Sequence, residues 1–483
     1  MPRFNKDILF LVIEELQRDI KSLFSCLLVS RNWCETAMPI LWKDPWCYDI
    51  NYSKKNSLFI IIAIYLSDNV KEFKDFLTRQ GLSSSPKSLL FDYLSFCRSF
   101  NVPVLNTLIS ICPSELHNQF LLQEIYGFMI KKCPGFKCAS IELFKHQPFY
   151  FLEDKARLGS LCELNCDTSV DSLHFNELAN VCNFIQRLII INKCLKVNDG
   201  IVNLIEVQKN LKYFEWKDDF NDFEDNFEND PYEKIFLALA KNADTLNFLI
   251  LSLHYIESQN LEQIVLQDLL TKLYKLKTLI ITGDVFMQFS EEQIRLLVYQ
   301  ELEIFNMDLI SLPEVSCIIE NSGGHLKEIP LNYDYYESNY DNIEEEESII
   351  FIRQIYEKCI LIENLSLIIL SSEQYFTEFE RLLISCKNLE SLTLRMVNNE
   401  DEEAGEDLLN TLIRSAPTNL NEIRFLNNFK FSLESLENFL EGWKGRHVIS
   451  IYTSNPIHKE NSYMNLVNRY KNIGVIKNFI CDL

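Results

Sequence analysis

Glycine is scarce: 12 residues in a chain of 483, where average usage of about 7% would supply roughly 34. Phosphate-cradling loops and doubly wound nucleotide folds turn on glycine, so that class of enzyme is disfavoured. Basic charge is short as well. Lys and Arg number 46 against 69 Asp and Glu, a formal charge of −23, and no basic stripe interrupts it. Broad contact with nucleic acid or anionic membrane needs clustered Lys and Arg and is not expected. Long apolar runs are missing too. The longest, LFIIIAIYL at 58–66, is about half of a membrane span and reads as a buried helix. The first sixteen residues mix apolar positions with Lys6, Asp7, Glu14 and Glu15, so no secretory signal is expected there.

Motifs of chemistry are also lacking. The 15 cysteines include no Cys-x-x-Cys pair, which removes the basic zinc-ribbon geometry. They sit singly among apolar neighbours, as free thiols do in a reducing compartment; cytosol or nucleus is the expected location. Cys162 and Cys166, four apart, read as core-facing, and Cys133 and Cys138 as unpaired. The seven histidines, at 117, 146, 174, 254, 325, 447 and 458, form no His-Glu-x-x-His arrangement, and no Gly-x-Ser-x-Gly elbow accompanies them. A Cys–His pair that meets only in space stays open; an enzyme housed in the helical connector, about 57–135, would have only His117 and Cys97 or Cys112 as its material. No catalytic residue, cofactor or metal ligand is expected.

What is present is helix, then repeat. A chain this long implies two or three domains or an open repeat array. Asn5 can cap a helix carrying Ile8, Leu9, Val12, Ile13 and Leu16. After a break at 17–19 a second helix carries Leu23, Phe24, Leu27 and Leu28. Ser30 can cap a third, with Trp33 and Ala37, ending near Pro39. Three such helices bury little area alone and need a neighbour or partner. Residues 57–133 read as helical, with loops at 81–86 and 112–114 and no strand alternation.

From Cys138 a unit recurs: apolar, two others, apolar, one other, apolar. It starts at Cys138, Leu161, Ile185, Leu211, Leu246, Leu276, Leu302, Leu326, Ile362, Leu389 and Leu420, with a weak copy at Val448. Intervals of 23 to 36 residues centre at or just above the leucine-rich-repeat range. Positions two apart cannot share a helical face, so each unit is extended. Between units lie helices: a capping box at Ser290–Gln293, an apolar stripe at Phe376, Phe379, Leu382 and Leu383, and another at Leu408, Leu409, Leu412 and Ile413. Strand then helix, repeated, gives eleven or twelve parallel strands on one side and helices on the other. Acidic stretches at 218–230, 334–347 and 398–407 fall between strands, as solvated loops or as a partner-recruiting patch.

The first segment resembles the F-box motif in the stretches ILFLVIEEL, SLFSCLLVSRNWCETA and PILW. Ile8-Leu9, Val12 and Leu16 match its first helix in register, and Leu28, Val29, Ser30, Arg31 and Trp33 match its later core. Phe4 and Asn5 stand where the family has Leu and Pro. Cys182, Cys359 and Cys386 each lie three residues before a unit's first apolar position, which resembles the cysteine-containing repeats often attached to F-boxes. The resemblance implies a non-catalytic substrate receptor of a Skp–cullin–F-box ubiquitin ligase. Phe4, Asn5, Ile8, Leu9, Val12, Leu27, Val29, Arg31 and Trp33 would dock a Skp-type adaptor, and through it a cullin. Trp33, like Leu28, Val29 and Arg31, also reads as core of the small helical segment. The alternative is a repeat scaffold whose start no longer docks. The implied architecture is α/β: a leucine-rich-repeat horseshoe solenoid over 136–483, preceded by an all-α F-box at 1–46 and a helical connector at 47–135.

Strand alternation assigns the faces. In Leu211-Lys-Tyr-Phe-Glu-Trp216, Leu211, Phe214 and Trp216 point inward, while Tyr213 and Glu215 point out. The same rule exposes Glu142, Glu163 and Asp167 early, Phe248 and Ile250 in mid-array, and Ser391, Thr393, Arg395, Glu422 and Arg424 late. Tyr213, Phe248, Ile250, Arg395 and Arg424 are the expected contacts to an unidentified substrate protein.

Overall fold

The structure is a computed structural model that describes residues 5–17, 19–46, 57–67, 74–75, 78, 89–110, 119–141, 155–194, 196–219, 232–256, 261–285, 289–308, 310–330, 344–396, 402–426 and 429–481. The expected loops at 81–86 and 112–114, most of the first two acidic stretches, the start of the third, Phe4, Glu142, His117, His146 and Cys112 lie outside these residues, and the rest of the third stretch opens a helix, Glu402–Ser415, instead of a loop. The chain divides into two units, 1–242 and 243–483.

The first unit opens with α1 (Lys6–Glu14), α2 (Ile20–Val29) and α3 (Arg31–Leu41). Each has the cap its sequence offers: Asn5 accepts from the Asp7 amide, Asp19 from Ser22 and Ser30 from Trp33. α3 ends near Pro39, at Leu41, with the proline inside its last turn. Helix Ser57–Ser67 follows, and residues 62–66 of it are buried as expected.

Five strands then run in order: β1 (Ser99–Asn101), β2 (Cys138–Ile141), β3 (Glu163–Asp167), β4 (Arg187–Asn192) and β5 (Tyr213–Asp218). Every neighbouring pair is parallel. β1 corrects the reading of 57–133 as helical throughout: a three-residue strand is too short to display an alternation. Residues 43–46 cover its outer edge. The Arg98 amide donates to the Lys43 carbonyl at 2.9 Å, and the buried Trp46 indole to the Ser99 carbonyl at 3.0 Å.

The second unit carries β6 (Phe248–Ile256), β7 (Thr278–Val285), β8 (Ile304–Met307), β9 (Glu328–Ile329), β10 (Asn364–Ile369), β11 (Ser391–Met396), β12 (Glu422–Leu426), β13 (Ile449–Thr453) and β14 (Ile476–Ile480). All successive pairs are again parallel. All twelve expected starts hold a strand; β1 and β14 are additional. β14 escaped because a register shift against β13 places its buried residues, Ile476 and Phe479, three apart rather than two.

Both units are leucine-rich-repeat solenoids. The inward positions are closed: Leu211 and Phe214, Leu246, Leu249 and Leu251, and Leu389, Leu392 and Leu394 are all at 0% exposure. Each such side chain contributes about 1.5–3 kcal/mol of transfer free energy. Cys182, Cys359 and Cys386 lie in the same cores. The return segments are helices, and successive ones pack side by side, as Ser172–Ala179 does with Asp199–Glu206. Capping boxes open two of them, at Ser290–Gln293 and Ser311–Glu314. Two of the scarce glycines sit where backbones nearly touch in the return segments: a Cβ on Gly200 would lie 2.1 Å from the Ser172 carbonyl oxygen, and on Gly405 2.0 Å from that of Lys430.

Candidate docking surfaces

Six consecutive apolar residues, Ile8 to Ile13, cannot all face inward on a helix of 3.6 residues per turn. α1 buries Leu9 and Ile13 and leaves Ile8, Phe10, Leu11 and Val12 exposed, at 51, 40, 63 and 51%. α2 does the same. Leu23 and Cys26 are buried, whereas Phe24, Leu28 and Val29 are 47, 89 and 59% exposed. Both helices pack on α3. Of the residues matched to adaptor docking, Ile8, Val12, Val29, Asn5 and Arg31 are exposed, Leu27 and Trp33 half-buried, and Leu9 is core. Asn5 has a local task of its own: its Oδ1 accepts from the Asp7 amide at 3.2 Å. Leu11 and Leu28, the most exposed, are the positions that pattern alone ranked too low; the all-round apolar run was the available signal.

In the first unit four outward strand residues satisfy one another. The Arg187 guanidinium stacks 3.6 Å from the Tyr213 ring centre and sits 3.7 Å from Glu163, and the Tyr213 hydroxyl donates to Glu215 at 2.5 Å. Burial, and then that carboxylate, push the Tyr213 phenol up to about 12. Asp167 is a correction. It is buried rather than outward, at 1% exposure, because the chain turns at the strand end and its carboxylate accepts from the Ser169 amide at 2.9 Å. Beside it runs a buried polar ladder. Thr168 donates to Asn192 at 3.1 Å and Asn192 to Asp218 at 2.8 Å; Asp218 also accepts from Trp216 at 2.9 Å and from Tyr232.

In the second unit Phe248 and Ile250 are half-buried, not fully exposed. Ile280 and Ile304 share their face: β7 sets Ile280 beside Ile250, and Ile304 lies in the row of Phe248 and Thr278. The alternation rule applied to LKTLII and LEIFNM would have found both. Arg395 is the second correction. At 6% exposure it is covered between Ile368 of β10 and Leu426 of β12, and it is not available as a surface contact. Arg424 is half-buried, pairs with Glu422 at 2.8 Å and lies 4.6 Å from the Tyr452 ring centre. Lys327 pairs with Glu303 at 2.7 Å, and its ammonium holds that carboxyl below the usual range.

The thirteen described cysteines are free thiols. Cys166 is buried as expected, but Cys162, expected in the core, is only half-buried. Cys97 and Cys133 are both at 0% exposure and share a hydrogen bond, which pushes Cys97 down and Cys133 up. Among the described residues no group of three or more His, Cys, Asp or Glu could hold a metal ion, and no helix is long and apolar enough to cross a membrane.

No protein-family model and no curated protein matches the chain. Among solved structures, a chain of the yeast Rad7–Elc1 complex is similar over 72% of this chain and 82% of its own, with 15% identity and a TM-score of 0.41. The leucine-rich-repeat-containing protein LegL7 from Legionella pneumophila is similar over 71% and 90%, with 12% identity and a TM-score of 0.31. The fold assignment rests on the chain's own geometry: parallel strands in sequence order, a closed leucine row behind each, and a helix returning between them in most repeats.

Proposed function

We propose that this chain is a non-catalytic substrate receptor of a Skp–cullin–F-box ubiquitin ligase. α1 and α2 dock the Skp-type adaptor and through it a cullin, and outward strand residues hold the substrate protein. The observation that carries this reading is the set of seven exposed large apolar side chains on α1 and α2, in the segment whose sequence resembles an F-box. A soluble three-helix unit gains nothing by wetting them unless a partner covers them.

The receptor contributes proximity. Holding substrate and conjugating machinery on one assembly turns a bimolecular encounter into a tethered one, while the covalent chemistry belongs to the RING subunit and its conjugating enzyme. A rigid tether serves this best, and the bonds from Lys43 and Trp46 to β1 support one between the F-box at 1–46 and the repeats. On this reading 47–135 is a connector that already contributes the first strand, and 136–483 is the main repeat array, acting in cytosol or nucleus. Substrate contacts are Tyr213, Phe248, Ile250 and Arg424; Arg395 is retired to a supporting position. A scaffold that docks no adaptor is the second reading, favoured by Asn5 in the place of proline.

Bridging separates the two. Cullin should be recovered with the full chain only when the Skp-type adaptor is present. Leu28→Asp, at a position too exposed to affect folding by more than about 0.5 kcal/mol, should lose both. Recovery of neither by the unaltered chain would establish the scaffold reading.

A further inference from the structure

Resting on the receptor reading, the outward face of the second unit also constrains what is held there. Glu363 and Glu390 are neighbours directly before β10 and β11: the Glu390 amide donates to the Glu363 carbonyl at 2.8 Å. Strands lie about 4.8 Å apart, well inside the roughly 8 Å over which physiological salt screens charge. Like charges side by side on a sheet are unfavourable. Neither residue, nor Glu328 at the start of β9, has a direct ion pair among the described residues; Lys327, whose carbonyl accepts from the Glu363 amide at 2.7 Å, attracts Glu363 and Glu328 at longer range, but its ammonium is paired with Glu303 at 2.7 Å. The first unit's face is different. There Arg187, Tyr213 and the two carboxylates they meet complete one another, leaving no comparable surplus.

An independent feature lies on the same unit. Ile250, Ile280 and Ile304 occupy outward strand positions on β6, β7 and β8 and are half-buried. The corresponding outward positions on β10 to β12 are polar or charged, as a solvated sheet face requires. An apolar block bordered at the strand starts by carboxylates in excess of the nearby Lys is complementary to one chemistry.

We propose that the face of the second unit takes an extended protein segment with an apolar anchor on Ile250, Ile280 and Ile304 and Lys or Arg opposite Glu363 and Glu390. Three strand steps separate Ile280 from Glu363 and four separate it from Glu390, and both glutamates lie three residues nearer the strand starts, so the spans are roughly 17 and 22 Å at about 4.8 Å per step and about 3.3 Å per residue. A chain rising about 3.3 Å per residue covers that in roughly five to seven residues. The chain's overall charge of −23 adds a long-range attraction for a cationic segment, strongest at low salt.

The test is a random twelve-residue peptide library displayed on phage and panned on the full-length chain, with enriched sequences resynthesised and titrated by fluorescence anisotropy. The enriched set should share an apolar residue and, about five to seven positions away, Lys or Arg. Glu363→Gln with Glu390→Gln should weaken such a peptide about tenfold, the scale of two exposed ion pairs, and Ile280→Ser should weaken it too. No enrichment, an acidic or uncharged consensus, or binding indifferent to the Gln pair overturns the proposal. Adaptor capture, read on the same preparations, reports on the receptor reading alone, so the two fail separately.

Discussion

His458 should make the end of the second unit acid-labile. It sits in the short turn Pro456–Lys459 at 0% exposure, its ring stacked 4.2 Å from Phe431 and edge-on to Tyr463 at 5.2 Å. Nδ1 shares a hydrogen bond with the Thr453 hydroxyl at 2.9 Å, and Nε2 has no hydrogen-bond partner among the described residues. Desolvation penalises the imidazolium and pulls the group from 6.5 down to about 4. Unfolded chain therefore takes the proton first. The contribution is fully present above pH 6.5, declines as pH falls through the window, and levels off below about 4. A gap of about 2.5 units corresponds to about 3 kcal/mol in all, of which about 2 kcal/mol is lost by pH 5. Repeat arrays open from their ends, so the readout is amide hydrogen exchange of β13 and β14, corrected for intrinsic rates, at pH 7.5 and 5. The unaltered protein should lose about 2 kcal/mol more protection there than His458→Gln, which cannot titrate. Equal losses in the two proteins would refute the reasoning, because every other titrating group is common to both.

Two stability predictions concern the solenoid cores. Asp218→Ala strands three buried donors, on Trp216, Asn192 and Tyr232, and should destabilise the first unit by roughly 3 kcal/mol, read as a lower urea midpoint. Gly405→Ala gains up to about 1 kcal/mol of helix propensity, but its Cβ would lie 2.0 Å from the Lys430 carbonyl oxygen. The backbone clash should win by about 1–3 kcal/mol, and a rise in melting temperature would contradict that packing.

The strand positions were legible because each leucine row repeats the same inward–outward alternation, and eleven starts were read without help from any neighbour. The two strands that escaped show where that signal ends. β1 is three residues long, and β14 breaks its own alternation with a register shift. Faces were legible only where a residue has solvent on its outward side. Asp167 turns inward to serve the strand-end turn, and Arg395 is walled in by the strands on either side; neither fact is local to its own repeat. The N-terminal segment was clear in its caps and its helices. Which leucine faces out, Leu28 rather than the half-buried Leu27, depends on how α2 lies against α3. The carboxylates Glu363 and Glu390 are each the second residue of a repeat unit and become neighbours only through the register of β10 and β11.

The central claim is that α1 and α2 are a docking surface, and isothermal titration of the purified full-length chain with a purified Skp-type adaptor tests it most directly. The account predicts a 1:1 complex with a Kd of about 1 μM or tighter. It also predicts a negative heat-capacity change, the mark of apolar burial. Leu28→Asp should weaken binding by about a thousandfold, the combined cost of losing a buried leucine and desolvating a carboxylate, with the urea midpoint unchanged. A folded chain that releases no heat with the adaptor, or a Leu28→Asp variant that binds as tightly as the unaltered protein, would contradict it.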